Sequence, residues 1–212
     1  MIIRHIGHAE FLIETESGVR IVTDPYGDDI GYPVHRLKAD AALVSHSHHD
    51  HNAVDTLEGL QTVVNREGIH TISPGIRVTA LKGFHDDAQG SKRGETLLFL
   101  IEAEGLRIVH LGDLGCPLNE NQLAQLKKPD ILMIPVGGFY TIDGKTAKKT
   151  ADALQARVVL PMHYKTKYNE GWPISGPEEF LKGYTDIRRE LEVLRITQAD
   201  VACQPQAAIF RA

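Results

Sequence analysis

The chain has 212 residues, 42% of them hydrophobic, with 24% charged residues, a formal net charge of −5 and a pI near 6.1. That length and apolar fraction suit one core, read here as a single domain over residues 1–212. The mild acidity offers no global field for nucleic acid or an anionic membrane, so no nucleic-acid partner is expected.

The N-terminal stretch MIIRHIGHAEFLIE lacks the apolar core and small-residue cleavage site of a secretory signal. Its alternation instead reads as strands over residues 2–6 and 10–15, with a third over 19–23. Glu16-Ser17-Gly18 makes the hairpin turn between the last two. Residues 41–44 form a short buried strand that runs directly into Ser45-His46-Ser47-His48-His49-Asp50-His51, and a helix is expected from about Asn52. The second half resembles the first: FLIETESGVRIVTD at 11–24 is answered by FLIEAEGLRIVHLGD at 99–113, each a strand, glycine turn and strand ending in aspartate. An apolar strand follows each, at 41–44 and 131–136. This points to an internal duplication, although two similar amphipathic hairpins would leave the same trace.

Further on, 144–156 reads as a helix with Lys145, Lys148 and Lys149 on its wet side, and 158–160 as a strand leading into Pro161-Met162-His163. Ser175-Gly176-Pro177-Glu178-Glu179 carries a helix start signal, with a capping serine and proline and acids for the first turn. The mixture of elements implies an α/β fold in layers. No apolar run approaches the roughly 18 residues of a membrane span. Cys116 and Cys203, far apart in sequence, form no disulfide framework and fit a cytoplasmic protein.

The chemistry concentrates in His46-x-His48-x-Asp50-His51, four candidate ligands within six residues at the end of a buried strand. If the strand geometry continues, His46 and His48 leave on one face. Asp50 and His51 can then address a neighbouring position as the chain turns. Imidazole with carboxylate suits zinc first, with manganese or iron as further options. A histidine-rich surface loop is the bland alternative, and the preceding buried strand argues against it.

This HxHxDH segment resembles the signature of the metallo-β-lactamase superfamily, and further landmarks follow in order along nearly the whole chain. Asp24 in Val22-Thr23-Asp24-Pro25, His85 in Gly83-Phe84-His85-Asp86, Asp113 in Gly112-Asp113 and His163 in Pro161-Met162-His163-Tyr164 all look like family positions. Gly7-His8-Ala9, GDLG and PMHY look most like the metal-dependent hydrolase branch that contains ascorbate-6-phosphate lactonase. The resemblance implies a four-layer αβ/βα sandwich with its site at one edge of the two sheets. It implies two divalent ions, one held by His46, His48 and His85 and the other by Asp50, His51 and His163, with Asp113 between them. Asp50 and Asp113 would be the catalytic carboxylates and a metal-bridging hydroxide the nucleophile, acting on a lactone, ester or related small substrate.

Around that centre several roles stay open. His70 and His110 compete with His85. Asp24 reads as orienting a ligand from behind, and His8 as facing a ligand, facing substrate or making a structural hydrogen bond. Arg93, Lys165 and Lys167 could meet an anionic substrate or be solvated surface cations, while Tyr140 and Trp172 could line a pocket or cap a core. Cys116 stands where relatives often carry histidine. His5, His35 and His49 read as ordinary histidines. The competing functions are a phosphodiesterase acting on a nucleotide or phospholipid, and a non-catalytic metal-binding protein. Oligomeric state is not legible.

Overall fold

Alternation within one strand shows how the molecule is layered: Phe11 and Ile13 face one core, Leu12 between them faces another, and all three are buried. A strand buried on both faces needs a layer on each side. The computed structural model, which describes residues 1–211, supplies them. The first half contains β1 (Ile2–Gly7), β2 (Glu10–Glu14), β3 (Arg20–Thr23), β4 (Leu37–Lys38), β5 (Ala41–Leu43), β6 (Leu57–Glu58) and β7 (Thr62–Val64). Next come β8 (Gly68–Ser73), β9 (Ile76–Phe84), β10 (Glu95–Ala103), β11 (Leu106–His110), α1 (Glu120–Leu126), β12 (Ile131–Pro135), α2 (Gly144–Leu154) and β13 (Val158–Met162). The chain ends with α3 (Glu178–Leu181), β14 (Ile187–Leu191), β15 (Leu194–Arg195) and β16 (Ala207–Phe210).

One sheet runs β15-β1-β2-β3-β5-β7 and the other β14-β16-β13-β12-β11-β10-β9-β8. Between them lies a continuous apolar layer that includes Ile3, Phe11, Ile21 and Leu43 from one sheet and Phe99, Ile108, Met133 and Leu160 from the other. Outside the second sheet, Leu98, Leu100, Val109 and Leu132 pack under the helices, against Leu126 of α1, Ala147, Ala151 and Leu154 of α2, and Phe180 of α3. This is the sandwich expected from the sequence, with one particular: among the described residues all three α-helices cover the second sheet. The outer face of the first is closed by the β4–β6 ribbon and the 3-10 turn Val54–Thr56, whose Leu57, Ala39 and Val54 cover Leu12, Val22 and Ala42.

The helix expected from Asn52 is absent. Asn52 donates its side-chain amide to the Ser47 carbonyl and Ala53 N–H donates to the Pro25 carbonyl, so the chain is tied down as a loop. Only one tight turn forms before Leu57 enters a strand. The helix expected over 144–156 is present as α2, where the Asp143 carboxylate caps by accepting from Thr146 N–H. The start signal at Ser175 also precedes a helix, but a single turn, and without a side-chain cap.

The two halves share one topology. β1, β2 and β3 are antiparallel neighbours followed by parallel β5 and β7; β9, β10 and β11 are antiparallel neighbours followed by parallel β12 and β13. In each half the first, third and fourth strands therefore run the same way and release their loops at the same edge. His8 follows the first strand of one half as His85 follows the first strand of the other, and Asp24 and Asp113 follow the third strands.

Glu10 is a cost built into this frame. It sits at the start of β2, 3% exposed, and burial pushes its carboxyl up to about 8 from 4.5, aided by Asp24 and opposed by a Tyr26 backbone bond. The fold thus keeps a proton that the unfolded chain releases, so the Glu10 contribution to stability falls as pH rises through the interval from 4.5 to about 8. Against the metal-free wild type, the melting temperature of Glu10→Gln should gain steadily as pH rises through that interval. An identical slope in the variant would contradict the assignment.

Candidate metal centre

Each functional side chain comes from the end of a strand at the shared edge. His8 follows β1, Asp24 follows β3, the loop 45–51 follows β5, His85 follows β9, Asp113 lies three residues beyond β11, and His163 follows β13. His8, Asp24 and His163 have φ values of 53°, 40° and 51°, in the left-handed region that side chains other than glycine rarely adopt. Each such residue costs about 1–2 kcal/mol, so the surroundings must hold it. They do: His163 N–H donates to the His8 carbonyl at 3.0 Å, and Asp24 N–H donates to the Leu43 carbonyl at 2.8 Å.

Asp24 is fully buried and organises the centre from behind. Its Oδ1 accepts Ser45 N–H at 2.7 Å; its Oδ2 accepts Ser45 Oγ–H at 2.8 Å and His51 Nδ1–H at 3.1 Å. Ser45 Oγ in turn accepts from His46 Nδ1 at 2.9 Å, and His85 Nδ1–H donates to the Tyr140 carbonyl at 3.1 Å. In His46, His51 and His85 the outer nitrogen is thus occupied, which fixes the tautomer and leaves Nε2 with a free lone pair.

Those free nitrogens converge. His46, His48 and His85 can each offer a donor atom within 4.8 Å of the others, and so can His8, Asp50, His51 and His163. Asp113 Oδ2 lies 3.2 Å from His85 Nε2, 3.2 Å from His163 Nε2 and 3.4 Å from His51 Nε2, between the two groups. His46 Nε2 faces His48 Nδ1 at 3.0 Å. Since the Nδ1–H of His46 is already committed to Ser45, His46 Nε2 is the acceptor there and His48 Nδ1–H the donor, and a shared cation would take the place of that proton. His51 Nε2 and Asp113 Oδ1 are buried without a hydrogen-bond partner. A pair of divalent ions would satisfy all of these atoms, so the residues fit the cofactor expected from the sequence.

The electrostatics agree. Burial works against ionised Asp113, yet His163 and His51 hold its carboxyl well below the usual carboxylate range. Asp50 is likewise held far down against burial, by His51 and His8. Burial lowers His46 to about 3, which keeps it neutral as a ligand must be, and His8 to about 4, which keeps its Nε2–H a neutral donor to Asp50. His51, amid Asp113, Asp24 and Asp50, is raised well above 6.5 despite burial, which marks an excess of negative charge awaiting a cation.

The centre opens into a cleft of about 410 Å³ lined by His48, Asp50, His163, Arg93, Tyr140 and Trp172 among others. The structure therefore brings all seven expected ligands together. It also places His8 against them, with Nε2 donating to Asp50 Oδ2 at 3.2 Å. His110 is a core residue bonded to the Ala9 carbonyl and Gly112 N–H, and His70 lies on β8 at the surface, bonded to the Arg66 carbonyl. Neither joins the centre. Lys165 is exposed and is not among the residues lining the cleft, so of its two readings the structure favours the solvated surface cation over the substrate contact. His49, read as ordinary, stands at the cleft and pairs with Asp29 at 2.7 Å. Cys116 is half-buried, and burial with Asp86 and Asp87 nearby pushes its thiol up, away from the nucleophilic thiolate.

Sequence reasoning missed Asp86. Its carboxylate is buried and accepts four backbone N–H groups, from Ala88 (2.7 Å), Gly90 (3.0 Å), Lys92 (3.0 Å) and Arg93 (2.7 Å). The loop between β9 and β10 is wrapped around this one side chain. Its only signal in sequence was a second acid beside His85.

Comparison with known proteins agrees with this geometry. Residues 2–163 match the model of the beta-lactamase superfamily domain. A UPF0173 metal-dependent hydrolase of Thermococcus onnurineus is 31% identical over 85% of this chain and 90% of its own. One from Archaeoglobus fulgidus is 28% identical over 92% and 95%. Among solved structures, a metallo-β-lactamase superfamily protein of Thermotoga maritima superposes with a TM-score of 0.81 at 33% identity, covering 99% of this chain and 98% of that one.

The role of Asp24 can be tested directly. Asparagine can keep the bond from Ser45 N–H, but it then sets an amide donor against the His51 Nδ1–H. Asp24→Asn should weaken metal retention about 10–100-fold in a chelator competition. Unchanged retention would make Asp24 a packing residue only.

Proposed function

We propose that this chain, which belongs to the metallo-β-lactamase superfamily and is a metal-dependent hydrolase, opens a lactone or a related activated ester of a small molecule in the cytoplasm, as a single domain carrying two divalent ions, most simply zinc. The observation that carries this reading is the pair of donor groups joined at Asp113 Oδ2.

In this reading His46, His48 and His85 would hold one ion and Asp50, His51 and His163 the other, with Asp113 available to either. Two such ions, when bound, lower the pKa of water towards about 7 and polarise a substrate oxygen. The protein's own groups do the rest. Asp24 and Ser45 fix His51 and His46, and the Tyr140 carbonyl fixes His85, so the donors need not reorganise during turnover. Asp50, ionised and exposed to the cleft, is placed to accept a hydrogen bond from the attacking water at a carboxylate oxygen and so to orient it. His8 Nε2–H holds that carboxylate in position. Tyr140 and Trp172, whose ring centroids are 6.0 Å apart, form an apolar wall that limits water around the scissile bond. A cleft of about 410 Å³ suits a small molecule better than a polymer or a lipid.

Elemental analysis of protein purified without added metal should find about two ions per chain, as expected of a two-metal site. His48→Ala and Asp113→Ala should each lose metal together with hydrolysis of lactone, ester and bis-aryl phosphodiester substrates. Full occupancy in both variants would overturn the ligand assignment. Full occupancy in the wild type with no hydrolysis of any substrate would point to a metal-binding protein.

A further inference from the structure

Three cationic or potentially cationic side chains stand at the cleft besides the ligands already assigned, and two are accounted for. His49 is paired with Asp29, and Lys92 Nζ is paired with Asp87 at 2.6 Å. Arg93 is different. Among the described residues its guanidinium meets no carboxylate. Its neighbours are two ring faces, with Cζ 5.8 Å from the centroid of Phe139 and 5.6 Å from that of Tyr140.

The supports of this arrangement are built rather than incidental. Arg93 N–H is one of the four donors tied to the buried Asp86 carboxylate, so the backbone that carries the guanidinium is fixed next to the ligand His85. On the other side, the Tyr140 carbonyl is held by His85 Nδ1, and Tyr140 N–H donates to the Gly138 carbonyl at 2.7 Å. Phe139 is 61% exposed and sits at a φ of 59°, a strained position for an exposed aromatic residue. Core packing does not explain it. Its ring serves instead to back the Arg93 guanidinium from outside. A cation–π contact uses none of the guanidinium N–H groups as hydrogen-bond donors to a charged acceptor, so they stay available to bind a carboxylate or phosphate in bidentate fashion.

We propose that Arg93 is the recognition residue for an anionic substituent, a carboxylate or a phosphate, carried by the substrate near its scissile bond. The proposal rests on the hydrolase reading above and narrows it: one end of the substrate meets the metal centre, an apolar portion lies along Tyr140 and Trp172, and the anion meets Arg93. A neutral lactone would use the same centre but forgo this contact.

The test compares paired lactones on metal-loaded wild type, Arg93→Gln and Arg93→Lys, with metal content measured on each sample. One pair is γ-butyrolactone and the same ring bearing a carboxylate. The other is glucono-δ-lactone with and without a phosphate on its primary hydroxyl. Wild type should prefer the charged member of at least one pair, and which pair distinguishes carboxylate from phosphate. In Arg93→Gln the ratio of kcat/KM for the charged over the neutral member should fall about 100-fold, with partial recovery in Arg93→Lys. A ratio unchanged by Arg93→Gln, or no preference in wild type, overturns the subsite. Should wild type open no lactone at all, the hydrolase reading fails separately, and calorimetric titration with succinate and acetate decides the subsite. A preference for succinate lost in Arg93→Gln upholds it; equal binding overturns it.

Discussion

Three aspartates gathered around one buried imidazole set the terms for this molecule. Asp24, Asp50 and Asp113 all lie within 3.4 Å of a nitrogen of His51, and His51 itself is shielded from solvent. Buried negative charge of this density is unfavourable unless a cation answers it. Protonation of His51 can answer part of it, and divalent ions answer it fully. The surrounding architecture follows from that need: outward nitrogens are tied to Ser45, Asp24 and Tyr140 so that the inward ones stay available.

The fold meets the need by spending backbone strain where the loops leave the sheets. His8, Asp24 and His163 each take a left-handed conformation, and Gly112 does the same just before Asp113. At Gly112 a side chain would also collide with Thr96 and Ser45. The β-sandwich beneath, with its apolar layer between two rigid sheets, over-determines these positions. Rigid strands thus deliver six short loops to one edge, and chemistry resides in the loops.

Much of this was legible in the sequence because ligands are chemically unusual and clustered. His46, His48, Asp50 and His51 announce themselves, and His85, Asp113 and His163 follow strands whose apolar runs are plain. The likeness of 11–24 to 99–113 foretold two halves that prove to share a strand order. What escaped is what depends on tertiary wrapping. Asp86 looks like any loop acid until four backbone N–H groups are seen to converge on it. Lys165 follows His163 by two residues, yet it stands exposed and is not among the residues that line the cleft. The missing helix after Asn52 failed for a local reason: Asn52 and Ala53 are tied to Ser47 and Pro25, which leaves room for only the tight turn closed by Thr56 on the Ala53 carbonyl. Arg93 was one cation among several in sequence; only the pairing of Lys92 with Asp87, and its own rings, set it apart.

The shared topology of the two halves has a mechanical corollary. His8, Asp24 and the 45–51 loop belong to one half, and His85, Asp113 and His163 to the other, so each group of donors draws on both sheets. Ions bound there would work as rivets across the sandwich. Whatever free energy they contribute opposes the sliding or separation of the sheets, because either motion would tear both groups apart at once. Metal loading and the docking of the two halves would then be a single cooperative event, and a chain split at the boundary between them would have to reassemble before it could complete either group of donors.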